Sequence, residues 1–310
     1  MAELISIILP TYNGSKYIRQ SIDSCLKQTY ENFELIIVND CSTDNTLDII
    51  TEYAQKDKRI KIINNEVNKK LPLSLNAGFD NAQGVYYTWT SDDNYYAPDA
   101  IEVMHRELQS NPDTDLVYAG YVLIDEHDKH VSLFEPNDVN DSFFKWLGCG
   151  ACFMYKAEIH ISNKGYNPSA FLIEDYDFFV RAFAKYKFRY INSTKLYYYR
   201  THPLSLTATY AQDAFNMQKT LQERYIGILS PKIGEYETLL LYRKLAVYYA
   251  VHNNNLQKTT TYLSKIYPAN AGMAFITIFY IIFKKLVVSL KIVLSLFVFL
   301  FKLPFSKNIK

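Results

Sequence analysis

Glu34-Leu35-Ile36-Ile37-Val38-Asn39-Asp40-Cys41-Ser42-Thr43-Asp44 decides the fold class of this chain. The apolar run from Phe33 to Val38 reads as a strand covered on both faces, and it stops abruptly at Asn39-Asp40. Asp44 then stands where a cap opens a helix, with Leu47, Ile50 and Ala54 on one stripe. An apolar strand, a polar turn and an amphipathic helix make the unit from which mostly parallel, doubly covered sheets are built.

The unit recurs on both sides. Upstream, Ile5-Ser6-Ile7-Ile8-Leu9 ends at Pro10, and Ile18, Ile22, Cys25 and Leu26 share a helical face. Downstream, Ile60 to Ile63 is a third strand interrupted by Lys61, and Pro72 suits the first turn of a helix ending near Gly84. Val85 to Thr90 is a fourth strand, rich in aromatic and β-branched residues. Farther on, a helix follows Pro98, strands lie near Leu116–Leu123 and Ala151–Tyr155, and a helix begins at about Asp175. Residues 211–265 read as helical and tyrosine-rich.

Polar residues gather at the strand ends: Thr11-Tyr12-Asn13, Asn39-Asp40, Asn64-Asn65 and Ser91-Asp92-Asp93. Ligands of open α/β sheets bind beyond those ends. Turns are polar in any protein, but three acidic groups on two strand ends favour a site. Adjacent carboxylates such as Asp92 and Asp93 are costly unless a cation neutralises them, and oxygen ligands suit magnesium or manganese. The same pair also suits the cap of the helix after Pro98. Glu174-Asp175-Tyr176-Asp177 opens an amphipathic helix, where acidic residues favour the dipole and Asp177 with Arg181 suits a surface pair. A carboxylate held there also suits a general base.

Composition narrows the class. Of 310 residues, 49% are hydrophobic and 21% charged, which excludes a disordered chain; the net charge of +1 gives no pull toward nucleic acid. Cys149 and Cys152 form a lone C-x-x-C without the four ligands of structural zinc. No signal peptide is legible at the start, so the catalytic part is expected in the cytoplasm.

Together these segments resemble glycosyltransferase family 2, the inverting enzymes of the GT-A fold. The resemblance covers about residues 4–205: the opening through Asn13, Gln28-Thr29-Tyr30, the 34–44 stretch, Leu75-Asn76-Ala77-Gly78, Thr90-Ser91-Asp92-Asp93-Asn94, Glu174-Asp175 and Tyr199-Arg200-Thr201-His202. It implies an α/β, GT-A type nucleotide-sugar-binding fold with a mostly parallel central sheet, then a helical C-terminal region. Donor contacts would come from Pro10, Thr11, Tyr12 (stacking on the base), Asn13, Asp40 (bonding the base), Lys70, Asn76 and Asp92. Asp93 would ligate Mn2+ or Mg2+, with Asp92 and His202 beside it, and Asp175 would be the base. Trp146, Gly150 and Glu174 are placed on the acceptor side, although the Trp146–Tyr155 stretch reads equally well as a turn and core strand. Thr90 departs from relatives that carry a further Asp there.

The expected activity is transfer of a hexosyl or N-acetylhexosaminyl group from a nucleotide-diphosphate sugar, with uridine as the base. The acceptor would be a hydroxyl of a glycan or lipid-linked molecule in surface polysaccharide synthesis. The alternatives are an inactive relative serving as a membrane scaffold and a nucleotidyltransferase. The expected domains are 1–210 (nucleotide half 1–97, acceptor half 98–210), a helical extension 211–268, and hydrophobic, lysine-bearing helices over 269–310. Residues 271–310 hold six lysines and no acidic residue, and Lys284, Lys291, Ser295 and Lys302 share a narrow helical stripe with Lys285 apart. Three arrangements suit this tail: a helix in the plane of a membrane surface, a tilted span, or helices buried in an oligomer. The first two place the chain on the cytoplasmic face of the cell membrane, and a homo-oligomer remains open.

Overall fold

The computed structural model describes residues 2–203 and 205–302, with side chains except those of 207 and 287–302. The chain runs β1 (Ile5–Thr11), α1 (Ile18–Leu26), β2 (Phe33–Asn39), α2 (Thr46–Lys56), β3 (Ile60–Asn64), α3 (Lys70–Phe79) and β4 (Tyr86–Trp89). Then come β5 (Tyr95–Tyr96), α4 (Ala100–Ser110), β6 (Leu116–Ala119), β7 (Tyr121–Ile124), β8 (His130–Phe134), β9 (Cys152–Lys156) and α5 (Ala157–Asn163). After a 3-10 turn at Pro168–Ala170 follow α6 (Glu174–Phe183), β10 (Phe188–Ile191), β11 (Tyr197–Arg200), α7 (Leu206–Thr209), α8 (Ala211–Val251), α9 (Leu256–Ile266) and α10 (Ala271–Lys302).

Seven strands form the central sheet in the order β10-β6-β9-β4-β1-β2-β3. All are parallel except β9, which is antiparallel to both β4 and β6. That reversal matters for the site. Every other strand ends at the ligand edge, whereas β9 begins there, so the Gly148–Ala151 loop arrives on the same rim. The mostly parallel α/β architecture expected from the sequence is present.

One sheet face presents Ile5, Ile7, Leu9, Leu35 and Ile37 to Ile18, Ile22 and Cys25 of α1 and to Ile101, Met104 and Leu108 of α4. On the other face Gly78 of α3 lies flush against Ile8 and Val38. Each fully buried isoleucine contributes about 1.5–3 kcal/mol. Lys61, which breaks the apolar pattern of β3, reaches Glu34 on the neighbouring strand at 2.7 Å; Ser6 Oγ and the Gln83 amide also bond that carboxylate, both at 2.6 Å. The interruption in β3 therefore answers a charge buried in β2.

Three local expectations are corrected. Leu47 is exposed; Thr46, Ile49 and Ile50 form the buried side of α2. The N-cap of that helix is Asn45 rather than Asp44, which stands one residue earlier with its Oδ1 accepting from the Thr46 amide at 3.0 Å. The single strand expected over Leu116–Leu123 is two strands in different sheets, parted at Gly120, where a Cβ would collide with the Phe134 carbonyl oxygen. The second sheet, β5-β11-β7-β8, borders the site from the other side.

The first compact unit ends at Ile228 and the second begins at Leu229, both within α8. The first unit thus runs past residue 210, because Gln222 bonds the Tyr176 hydroxyl at 2.9 Å and the Tyr225 hydroxyl donates to Asp177 Oδ1 at 3.0 Å. The helical path of α8 breaks at Gly234 (φ 79°, ψ 172°). Within the second unit, Tyr249 and Tyr262 stack at 6.0 Å, which gives the tyrosine-rich region a packing role. Among the described residues, no helix is long and apolar enough to cross a membrane. The stripe positions Lys291, Ser295 and Lys302 lie outside the described side chains.

Candidate active site

The parallel register brings Thr11, Asn39 and Asn64 level at the ends of β1, β2 and β3. Asn39 Nδ2 donates to Asn64 Oδ1 at 2.5 Å and fixes that edge. Pro10 occupies β1 just before it, and Tyr12 projects half-exposed beyond it. Asn13 sits in the left-handed region (φ 56°); its Oδ1 accepts the Thr43 amide and its own amide donates to Ser42 Oγ. The first two polar turns thus lock together.

Asp40 is nearly buried. Its Oδ1 accepts from Asn65 Nδ2 (2.9 Å) and the Lys69 amide (2.8 Å), and its Oδ2 from the Lys70 amide (2.8 Å). The carboxylate shapes the turn into α3, and Oδ2 keeps a lone pair for a base N–H. Lys70 has φ 67°, and its ammonium lies 4.8 Å from the Phe171 ring, close to the loop that carries Asp175. Asn76 is a correction: both ends of its amide bond the Tyr166 backbone at 2.8 Å, so it fastens the 165–167 loop rather than facing a donor.

Asp92 and Asp93 follow β4. Thr11 Oγ1 donates to Asp92 Oδ2 at 2.5 Å, and burial together with the neighbouring Asp93 charge pushes the Asp92 carboxyl up to about 7. Gly14, absent from the sequence-based site, lies so close that a Cβ would collide with Asp92 Oδ2. Asp93 Oδ2 lies 3.1 Å from His202 Nε2, and this bond raises the imidazole pKa above its ordinary value. Thr90 is fully buried, with its hydroxyl 2.7 Å from that of Tyr197. A carboxylate at position 90 would sit in the core, so its absence removes no donor from the rim.

These residues fit a divalent metal of a particular kind. Among the described residues no group of three or more His, Cys, Asp and Glu side chains forms a cage. Asp93 and His202, 3.1 Å apart, offer one oxygen and one nitrogen donor, which would suit a Mg2+ or Mn2+ that takes its remaining ligands from water and substrate phosphates.

Arg200, at the end of β11, ties several elements of the rim together. It is almost fully buried. Its backbone amide bonds Asn94 Oδ1 (2.8 Å), Nε bonds the Asp93 carbonyl (2.9 Å), and one terminal nitrogen bonds the Asp125 carbonyl (3.1 Å). The other reaches Gln20 Oε1 (2.6 Å) and Asp128 Oδ1 (2.7 Å), and the guanidinium lies 4.3 Å from the Tyr17 ring centre. Only the planar five-donor fork of arginine spans these acceptors at once. The guanidinium holds the Asp93 backbone in place.

Across the rim, Asp175 stands in the first turn of α6, its Oδ1 accepting the Tyr176 amide at 2.6 Å. Burial raises its pKa from the ordinary value of an aspartate. Glu174 is buried with Oε2 unpartnered among the described residues; burial and the Asp175 charge push it up to about 8. Near neutral pH Glu174 therefore holds a proton. Asp177 and Arg181 are not a surface pair: Asp177 is fully buried, and Arg181 binds it at 2.8 Å while also donating to the Asn163 and Gly165 carbonyls. Trp146 is likewise corrected. Its ring is buried among Tyr118, Phe143, Tyr176, Phe183 and Phe188, out of reach of an acceptor. Gly150 (φ 65°) lies against the Tyr121 ring, where a Cβ would meet Cε1 at 2.8 Å.

Glu174→Gln is expected to stabilise the protein at high pH. A carboxyl whose folded pKa is raised costs stability as pH climbs from its unfolded value near 4.5 through its folded value near 8. Thermal melts should show the variant ahead by several kcal/mol at pH 9, with the gap closing toward pH 4. An equal gap at both pH values would refute the assignment.

An uncharacterized glycosyltransferase of Methanocaldococcus jannaschii is 33% identical over 204 residues, covering 63% of this chain and 70% of that protein. One from Rickettsia felis is 41% identical over 140 residues, 44% of this chain. The chain spans only 22% of that relative and 41% of another from Rickettsia prowazekii. Among solved structures, S. aureus TarS 1-349 in complex with UDP aligns with a TM-score of 0.60 at 19% identity, over 84% of this chain and 78% of that one. Mannosyltransferase PcManGT from Pyrobaculum calidifontis, in complex with GDP-Man and Mn2+, aligns with a TM-score of 0.62 at 16% identity, over 90% and 79%. At these identities both speak for the GT-A fold. The family model for glycosyl transferase family 2 matches residues 6–161, and with the strand-end carboxylates in place this chain belongs to that family.

Proposed function

We propose that this glycosyltransferase transfers a hexosyl or N-acetylhexosaminyl group, with inversion, from a UDP-sugar to a hydroxyl of a glycan or lipid-linked acceptor in surface polysaccharide synthesis. The observation that carries the reading is the pairing on one rim of two unlike carboxylate centres: Asp92-Asp93 after β4 and Asp175 at the start of α6. One suits a metal diphosphate, the other a proton acceptor. The UDP bound to TarS and the GDP-Man with Mn2+ bound to PcManGT support a nucleotide donor of this kind.

Asp93, with Asp92 and His202 beside it, would hold the metal. When bound, Mn2+ or Mg2+ supplies positive charge that offsets the charge on the departing diphosphate. Tyr12 and Asp40 would receive the base, and Lys70 would approach the diphosphate. Asp175 takes the proton of the acceptor hydroxyl, whose oxygen forms a bond to the anomeric carbon as the bond to the diphosphate oxygen breaks. One displacement inverts that carbon. Glu174, protonated near neutrality, keeps a second negative charge away from the base.

Calorimetric titration tests the donor. UDP is expected to bind with Mn2+ present and at least tenfold more weakly without it, with GDP the weaker ligand in both cases. Tighter binding of GDP would overturn the uridine assignment, and binding of neither nucleotide would favour a non-enzymatic membrane scaffold.

A further inference from the structure

We infer that α10 docks in the plane of an anionic lipid surface, with its exposed aromatic and aliphatic face in the acyl boundary and its lysines at the phosphates. The inference concerns the second compact unit alone and does not depend on the sugar chemistry.

The side chains of α10 divide sharply between its two sides. Ala274, Thr277 and Ile281 are buried, on the side from which α10 packs against α9. Phe275, Ile276, Phe279, Ile282, Phe283 and Leu286 are all more than half exposed. At about 100° per residue these six span roughly 120°, and Ile278 and Tyr280, each more than a third exposed, widen the apolar arc to about 200°. Soluble surfaces seldom expose so continuous an apolar patch, and a larger one marks an interaction site.

The charges identify the partner. On the same wheel Lys284 lies at one margin of the apolar arc and Lys285 at the other, each between the exposed and the buried sides. Lys284 leans over the Tyr280 ring at 5.5 Å, and Lys285 bonds Asn254 Oδ1 at 3.1 Å. Lysines flanking an apolar face on both margins meet headgroups while the rings enter the interface. Residues 271–310 contain six lysines and no acidic residue, so two copies of this segment would set lysine against lysine with no carboxylate of their own to answer. An anionic bilayer supplies both the apolar phase and the counter-charge. The arrangement is in-plane rather than spanning, since Lys284, Lys285 and Lys291 break the apolar stretch 274–301 before any uncharged run reaches the ~18–20 residues of a simple span.

Vesicle flotation of the purified full-length chain tests the inference. Wild type is expected to float with phosphatidylcholine vesicles containing phosphatidylglycerol and much less with phosphatidylcholine alone. Lys284→Glu should weaken flotation roughly five- to thirtyfold. Phe279→Asp combined with Phe283→Asp should abolish it while far-UV circular dichroism stays unchanged, since both side chains point away from the protein. Equal flotation on neutral vesicles, or flotation surviving the double substitution, would overturn the inference. So would a wild type that ignores vesicles yet sediments as a dimer that the double variant dissolves, because a second copy would then cover the face.

Discussion

Asp175→Asn is expected to lower the turnover number by about 10²–10⁴ while leaving UDP affinity within twofold, because the amide keeps the shape and loses only the proton acceptor. The side chain accepts a hydrogen bond from the Tyr176 amide, and an asparagine oxygen can accept the same bond. A pH profile separates this from a folding defect. Transfer requires ionised Asp175, and burial raises the pKa of that group. The wild-type rate should therefore rise with pH through a value above that of a free aspartate and then level. The residual rate of the variant should lack that limb. A variant that keeps wild-type turnover, or the same acid limb, would remove Asp175 from the base role.

Asp93→Ala is the second large effect. The substitution removes the carboxylate best placed for a metal and frees His202 from its 3.1 Å partner. Mn2+-dependent UDP affinity is expected to fall by at least a hundredfold, while metal-independent binding, which rests on the base, changes little. Far-UV circular dichroism should not move, because Arg200 binds the backbone carbonyl of Asp93 and not its side chain. Undiminished Mn2+ dependence in this variant would place the metal elsewhere.

Much of this site was legible in the sequence because its framework is made of apolar runs that end in polar turns. β1, β2 and β4 are buried on both faces or nearly so, and such strands announce themselves. The strands that escaped notice had no such signal: β5 has two residues, and most of β8 is exposed. Side-chain direction was harder still. Trp146 beside glycines suggested an acceptor platform, but the aromatic cluster that swallows it is assembled from residues up to 42 positions away and has no local trace. Asn76 was read as a donor contact, and the partner that claims its amide, Tyr166, lies on another element. Arg200 shows the same limit: its acceptors come from α1, the turn after β4 and the β7–β8 loop, which only the folded chain brings together.

Four residues other than glycine hold left-handed backbone angles on the rim: Asn13, Cys41, Lys70 and Leu172, with φ between 56° and 81°. Asparagine tolerates this conformation, but the other three cost about 1 kcal/mol or more apiece. Each stands beside a turn that meets the donor or the base. Glycine at any of them would relax the fold, so mutational drift toward greater stability pulls the chain away from its present shape at these points. A lineage that keeps side chains there is being selected for turn geometry, and the rim is where thermostabilising replacements should prove least compatible with catalysis.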